Sequence, residues 1–205
     1  MKKIIPCAIA IALCGCGQTR VVDLQNQTDV SSMQDVMELE YRDWTNTAES
    51  MTKSMIESGT FAGTNKPVIA IANIKNDTMQ RFDTDILTKK IRSTLLKSGK
   101  AQISTAFQNA SSAEDDTTYN MRNQRNNDEY NKATFAQKGT LVAPNMSLSG
   151  KMLQRNLKLQ SGWFSSVDTR VEYYLQLTLT DLKTGLSVWE YEQPIVKEGD
   201  HAPTW

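Results

Sequence analysis

The apolar residues of this chain recur first with a helical period and later with a strand period. Trp44, Ala48, Met51 and Met55 follow one another at steps of four, three and four, the stripe of an amphipathic helix. The spacing predicts a helix over residues 43–59, with Asp43 as its N-cap and Gly59 as its stop. Pro67 opens Val68-Ile69-Ala70-Ile71-Ala72, a short continuous apolar run of the kind found in strands buried on both faces. A second helix is predicted over 83–99. Leu87, Ile91 and Leu95 form its stripe, Asp83 or Thr84 caps its start, and Lys97 and Gly99 mark its end. A short strand is expected at 101–105. Residues 108–132 are rich in Asn, Asp, Arg and Gln, and Tyr119, Met121 and Tyr130 keep no clear period. They predict a loop followed by a solvent-facing helix.

The C-terminal part changes period. Met146, Leu148, Gly150 and Met152 alternate as in a strand. Val171, Tyr173, Leu175, Leu177 and Leu179 occupy successive odd positions, with mostly polar residues between them. This is the pattern of a half-buried strand. Residues 181–185 read as a turn, with Gly185 suited to positive φ, and 186–191 return as the paired strand. The order predicts an α/β (mixed α+β) protein: one mixed β-sheet flanked by α-helices and ending in a C-terminal antiparallel hairpin. The globular domain is expected over 43–198, with a tail at 199–205.

The N-terminus has a different character. Lys2 and Lys3 precede an apolar run from Ile4 to Leu13, the layout of a secretory signal and too short for a permanent span. Leu13-Cys14-Gly15-Cys16 resembles a bacterial lipobox. That resemblance implies a signal peptide at 1–15, cleavage before Cys16, and lipid on Cys16, which would anchor the chain firmly. Gly17 does not resemble an inner-membrane retention signal, so the periplasmic face of the outer membrane is the expected location. Residues 16–42 then read as the lipidated cysteine and a polar tether. About 26 residues reach roughly 90 Å when extended, and span about 28 Å as a flexible coil.

Composition narrows the chemistry. Lys plus Arg and Asp plus Glu are each 23, so the positive footprint of a nucleic-acid binder is missing. All three cysteines lie within the first sixteen residues, which leaves the domain without disulfide or thiol chemistry. The single histidine, His201, sits in the tail, so neither a catalytic histidine nor a zinc site of the usual kind is expected. There is no phosphate-binding glycine loop. Ser50-Met51-Thr52-Lys53 and Lys183-Thr184-Gly185 match two pieces of the β-lactamase motif set. The Ser-Asp-Asn piece is absent, and a surface helix and a turn explain both matches. The pairs Asp83/Asp85 and Asp115/Asp116 are read as helix-end and solvated carboxylates. No cofactor, metal or small-molecule substrate is expected. Residues 155–170 join two strands expected to pair, a long connection for a hairpin. It carries Trp163 and Phe164, which either contact a partner or fold back onto the sheet.

Several segments resemble the penicillin-binding-protein activator LpoB family. They are Asp43-Trp44, Met55-Ile56-Glu57-Ser58, Lys66 to Ile71, Asn73 to Asn76, Phe82 to Asp85, Lys90 to Lys100, Tyr173 to Gly185 and Val188-Trp189-Glu190. The resemblance implies a fold similar to the N-terminal domain of TolB. It implies a non-enzymatic, lipid-anchored periplasmic regulator that activates a bifunctional class A penicillin-binding protein and so stimulates peptidoglycan synthesis. Two features differ from the family pattern: residues 17–42 lack the proline-rich tether of enteric members, and Leu141-Val142-Ala143-Pro144-Asn145 replaces a Leu-Gly-Ala-Asp-like turn. The alternative is a structural or secretion-associated outer-membrane lipoprotein, such as a curli-export-type subunit, using the same domain as a protein-binding module. A channel needs long alternating membrane hairpins, and only 171–191 offers one. A small cell-wall enzyme is the third class.

Overall fold

The computed structural model describes residues 22–24, 26–31, 35–63, 65–106, 115–159 and 169–199. The signal segment, Cys16, the tail from 200 onward with His201, and the stretch holding Trp163 and Phe164 lie outside them. The chain divides into two compact units, Met1–Gln34 and Asp35–Trp205. In the first, a short helix α1 (Gln27–Ser31) follows Asn26, whose side-chain oxygen accepts the Thr28 N–H at 3.0 Å.

The second unit holds the fold. Helix α2 spans Tyr41–Glu57 and begins two residues earlier than the apolar stripe indicates. Asp43 is its third residue rather than its N-cap. Glu40 caps the helix, and its backbone N–H donates to Asp43 Oδ2 at 2.9 Å, as in a capping box. Strand β1 (Val68–Ile71) and strand β2 (Lys75–Asp77) follow. Helix α3 (Asp85–Ser98) closes on Gly99 at φ 64. Next come strand β3 (Gln102–Ile103) and helix α4 (Asp116–Asn123). Three strands of 13 residues complete the unit: β4 (Met146–Lys158), β5 (Thr169–Asp181) and β6 (Ser187–Gly199).

The described strands form one mixed sheet in the order β3-β1-β4-β5-β6, with β2 also paired to β4. β1 runs parallel to β3 and β4, and the β4-β5-β6 part is antiparallel. β1 and β2 lie end to end along β4. The chain takes four residue steps from Ile71 to Lys75 against three from Leu148 to Lys151. That extra residue breaks the alternation, as a bulge does, and Ile74 is buried where Asn73 is exposed.

The odd positions of β5 face the helices. Val171, Tyr173, Leu175, Leu177 and Leu179 pack with Trp44, Ala48, Met51 and Met55 of α2 and with Leu87, Ile91 and Leu95 of α3. Met37 and Leu39 already pack here, ahead of α2. The Tyr173 hydroxyl donates to the Met37 carbonyl at 3.1 Å. The opposite face is polar and tied by cross-strand bonds: Thr178 to Glu190, Gln176 to Glu192 at 2.6 Å, and Arg170 to Glu198 at 2.6 Å. Pro194 stands opposite Tyr174 on β6, where an edge strand tolerates a residue with no N–H.

Candidate binding surface

The β4–β5 connection is shorter than sequence patterning indicates. Pairing runs on to Lys158 and Thr169, so only 159–168 remain between the strands. Arg155, Glu172 and Arg170 belong to strands, and Arg155 and Glu172 stand 3.8 Å apart across the ladder. The contact role expected of Trp163 and Phe164 falls outside the described residues.

The carboxylate pairs serve helix starts. Asp83 Oδ1 accepts the Asp85 N–H at 2.9 Å. Asp115 caps α4, accepting the Thr117 N–H at 3.0 Å and the Thr118 hydroxyl at 3.1 Å. Ser50 Oγ lies 3.3 Å from Gln193 Oε1 in the middle of β6, and Lys53 pairs with Glu57 at 3.8 Å. Lys183-Thr184-Gly185 sits in the turn that precedes β6, ten residues from Gln193. Gly185 has φ 73 there, and Asp181 Oδ1 accepts the N–H groups of Lys183 and Thr184. The Thr184 N–H leads in holding this carboxyl below the ordinary carboxylate range. Serine, lysine and K-T-G are therefore not assembled into one site. Among the described residues no group of three or more His, Cys, Asp or Glu is placed to hold a metal. No described helix is long and apolar enough to cross a membrane.

What the fold assembles is a surface at one end of the sheet, where β1, β3 and β4 start and the β5–β6 turn closes. Backbone bonds fix the segments side by side. Gln102 donates to Pro67 O, Asn145 to Val68 O and Leu182 to Asn145 O, each at 2.9 Å. The Asn145 side chain accepts the Val68 N–H at 2.9 Å. On this frame Leu141 is 41% exposed, Val142 69%, Leu182 47% and Leu186 64%. An open groove of about 200 Å³ beside them is lined by Ser104, Ala106, Tyr119, Leu141, Val142, Ala143 and Pro144.

The charges here are mixed, with lysines in excess of the carboxylates Asp181, Asp115 and Asp116. Lys66, Lys100, Lys138 and Lys183 are all exposed and flank the joined segments. Asp181 is the carboxylate carried by the β5–β6 turn. No ion pair among the described residues involves Lys66, Lys100 or Lys138. Arg122 and Arg125 of the 115–145 segment are occupied with backbone. Arg122 donates to Gln137 O and Thr140 Oγ1, and Arg125 to Ala136 O. Sequence patterning does not join these pieces, because they are contiguous only through the sheet. The one signal it offers is apolar residues, Val142 and Leu182, in segments that otherwise read as turns.

Among the described residues the fold is a single mixed sheet with α2 and α3 packed on one face and an exposed apolar patch at one end of the sheet. Residues 43–195 match the family model described as peptidoglycan-synthase activator LpoB. The chain belongs to the LpoB family of peptidoglycan-synthase activators. A search of the curated proteins finds no match. Among solved structures, the LpoB C-terminal domain from Escherichia coli is 13% identical, with a TM-score of 0.43, covering 75% of this chain and 98% of that one. The same domain from Salmonella enterica is 15% identical, with a TM-score of 0.44 and the same coverage. The NMR structure of E. coli LpoB is 16% identical, with a TM-score of 0.43, covering 97% of this chain and 93% of that one. The family assignment rests on the match over 43–195.

Proposed function

We propose that the protein is a lipid-anchored regulator on the periplasmic face of the outer membrane that binds and activates a bifunctional class A penicillin-binding protein. The observation that carries this reading is the family match over 43–195. The anchor is supported by Leu13-Cys14-Gly15-Cys16 behind a basic and apolar leader. A regulator of this kind needs no reacting group of its own. It raises turnover by binding the synthase's active state more tightly than its inactive one. Trp163 and Phe164 remain candidate contact residues.

The test uses the full chain expressed in a Gram-negative host and purified in detergent. Its binding to each class A synthase of the same organism is measured while lipid II polymerisation is followed. Binding with faster polymerisation is expected, and no binding with no change of rate for every synthase overturns the reading. Metabolic labelling with palmitate tests the anchor: label is expected on the wild type and lost in Cys16→Ala.

A further inference from the structure

We infer that the sheet end formed by residues 65–67, 99–101, 141–145 and 182–186 is the docking surface, and that its partner is a protein surface presenting one apolar side chain among carboxylates. This rests on the regulator reading and names the face that performs it. Four lines on the structure carry it.

First, the exposed apolar side chains are held on a fixed frame. Val142 and Leu186, 69% and 64% exposed, flank backbone that is hydrogen-bonded from Pro67 through Asn145 to Leu182. Ordered apolar groups lose little entropy on binding, which favours them as contact points. Second, the groove beside Leu141 and Val142, at about 200 Å³, is smaller than sites built for drug-sized ligands, roughly 300–1,000 Å³. It matches a protruding side chain of the anchoring kind that dominates protein interfaces. Third, exposed Lys66, Lys100, Lys138 and Lys183 accompany these segments, while two of the three carboxylates here are engaged locally, Asp181 by Thr184 and Lys183 and Asp115 by Thr117 and Thr118, which leaves Asp116 as the exposed acid. The complementary partner is acidic. Fourth, the patch is concave between 141–144 and the Tyr119 segment. A concave slot receives a protein knob, whereas a bilayer is entered by a convex apolar wedge.

The rest of the described surface lacks this combination. On the open sheet face Arg170 pairs with Glu198 and Arg155 with Glu172, while Glu190 and Glu192 are held by the neutral Thr178 and Gln176, so its unmatched carboxylates give it acidic rather than basic character. The groove between α2 and β6 is lined by Asp43, Asn46, Thr47, Ser50, Gln193, Pro194 and Ile195, and no exposed lysine is among them.

The experiment uses the full chain in detergent, with the synthase that the wild type binds. Val142→Ser with Leu186→Ser, and Lys66→Glu with Lys100→Glu and Lys183→Glu, are each compared with Lys75→Glu/Lys151→Glu on the open sheet face. All five lysines and both apolar residues are exposed, and an unchanged thermal midpoint confirms that each variant folds. Both end variants are expected to bind at least tenfold more weakly, the open-face variant as wild type, and wild-type affinity to fall as salt rises. Wild-type affinity in folded end variants overturns the docking surface and leaves the regulator reading standing. A wild type that binds no synthase overturns the regulator reading, and the docking surface with it. Binding to phosphatidylglycerol vesicles that competes with the synthase and is lost in the same variants assigns the face to lipid and overturns the protein partner.

Discussion

Gly150 is the described glycine at which an added methyl group meets its neighbours most closely. It lies on β4 opposite Leu177 of β5, on the face that packs against the helices. A Cβ placed there stands 2.5 Å from the backbone oxygen of Gln176 and 2.5 Å from Leu177 Cδ2. Ordinary carbon–oxygen approaches stop at about 3.3 Å, so the oxygen alone is short by roughly 0.8 Å. No rotamer relieves a backbone contact. The two strands must part within a ladder that runs from Met146↔Asp181 to Lys158↔Thr169. Overpacking costs about 1–3 kcal/mol, and a backbone obstacle in mid-ladder belongs at the upper end. The stiffer unfolded chain of an alanine offsets about 0.4–1 kcal/mol. The net is about 2 kcal/mol, which for a domain of this size lowers Tm by roughly 4–8 °C. Thermal unfolding followed by circular dichroism reads this directly. Two controls isolate the cause. Gly199→Ala meets the Met37 sulfur at 3.0 Å, the far part of a flexible side chain, and Gly63→Ala has nothing closer than the Asn65 oxygen at 3.9 Å. Both are expected within about 2 °C of wild type. In Gly150→Ala/Leu177→Ala the Gln176 oxygen stays in place, so the two losses accumulate. A Gly150→Ala midpoint within a degree of wild type, or recovery in the double variant, refutes the reasoning.

Three further substitutions probe single atoms. Thr52 is buried on α2, and its hydroxyl has no hydrogen-bond partner among the described residues. Thr52→Val keeps the shape and removes the buried hydroxyl, so a gain of about 1 kcal/mol and a Tm rise of about 2–4 °C are expected by calorimetry. Tyr173→Phe removes the donor to the Met37 carbonyl, a loss of about 1–2 kcal/mol seen in denaturant unfolding. Burial, followed by the negative charge of Glu38 and Asp43, pushes the Tyr173 phenol above its ordinary range. An ultraviolet titration should therefore show Tyr173 ionising late, together with Tyr174, whose hydroxyl donates to Glu172 and is also shifted upward, after the remaining tyrosines. Asp181 is held below the ordinary carboxylate range, first by the Thr184 N–H. Its contribution to stability is present above the unfolded carboxylate pKa and is lost as pH falls through the folded one. Asp181→Asn should flatten the acid limb of the stability–pH profile, and an unchanged acid limb counts against this account.

The parts of the fold legible in the sequence are those where one face is apolar and the other polar. Val171 to Leu179 show β5 at once, and Trp44 to Met55 show α2. β2 carries Lys75-Asn76-Asp77, with no apolar alternation, and exists because its backbone pairs with β4. The far ends of β4 and β5 were hidden for a related reason. Beyond the apolar stripe the ladder continues through Arg155↔Glu172 and Leu157↔Arg170, residues that read as loop when their cross-strand partners are not visible. The start of α2 moved because Asp43 works at the third helical position with Glu40, a reciprocal pairing that a single N-cap reading assigns to the wrong residue. The lysine-ringed end was the least legible feature. Lys66, Lys100, Val142 and Lys183 are brought together by β1, β3, β4 and the last turn, and nothing local in any one segment marks them as neighbours.

On the proposed function, the difference in affinity that the docking end makes between two synthase states sets how much activation this protein can deliver. A binding partner shifts a two-state synthase only by its difference in affinity for the two states. Moving a synthase from about one molecule in ten active to about half active takes a roughly tenfold preference, about 1.4 kcal/mol. One apolar anchor or one desolvated charge pair supplies that much. A groove of about 200 Å³ ringed by a few lysines is therefore sufficient, and no large interface is required. The same preference must appear in reverse, because coupling between sites is reciprocal. A synthase held in its active state by a bound glycan-chain analogue should bind this protein about fivefold more tightly than the free synthase, about one-tenth of which is already active, as calorimetric titration would measure. Equal affinities for the two forms would show that contact at this surface recruits the synthase without activating it.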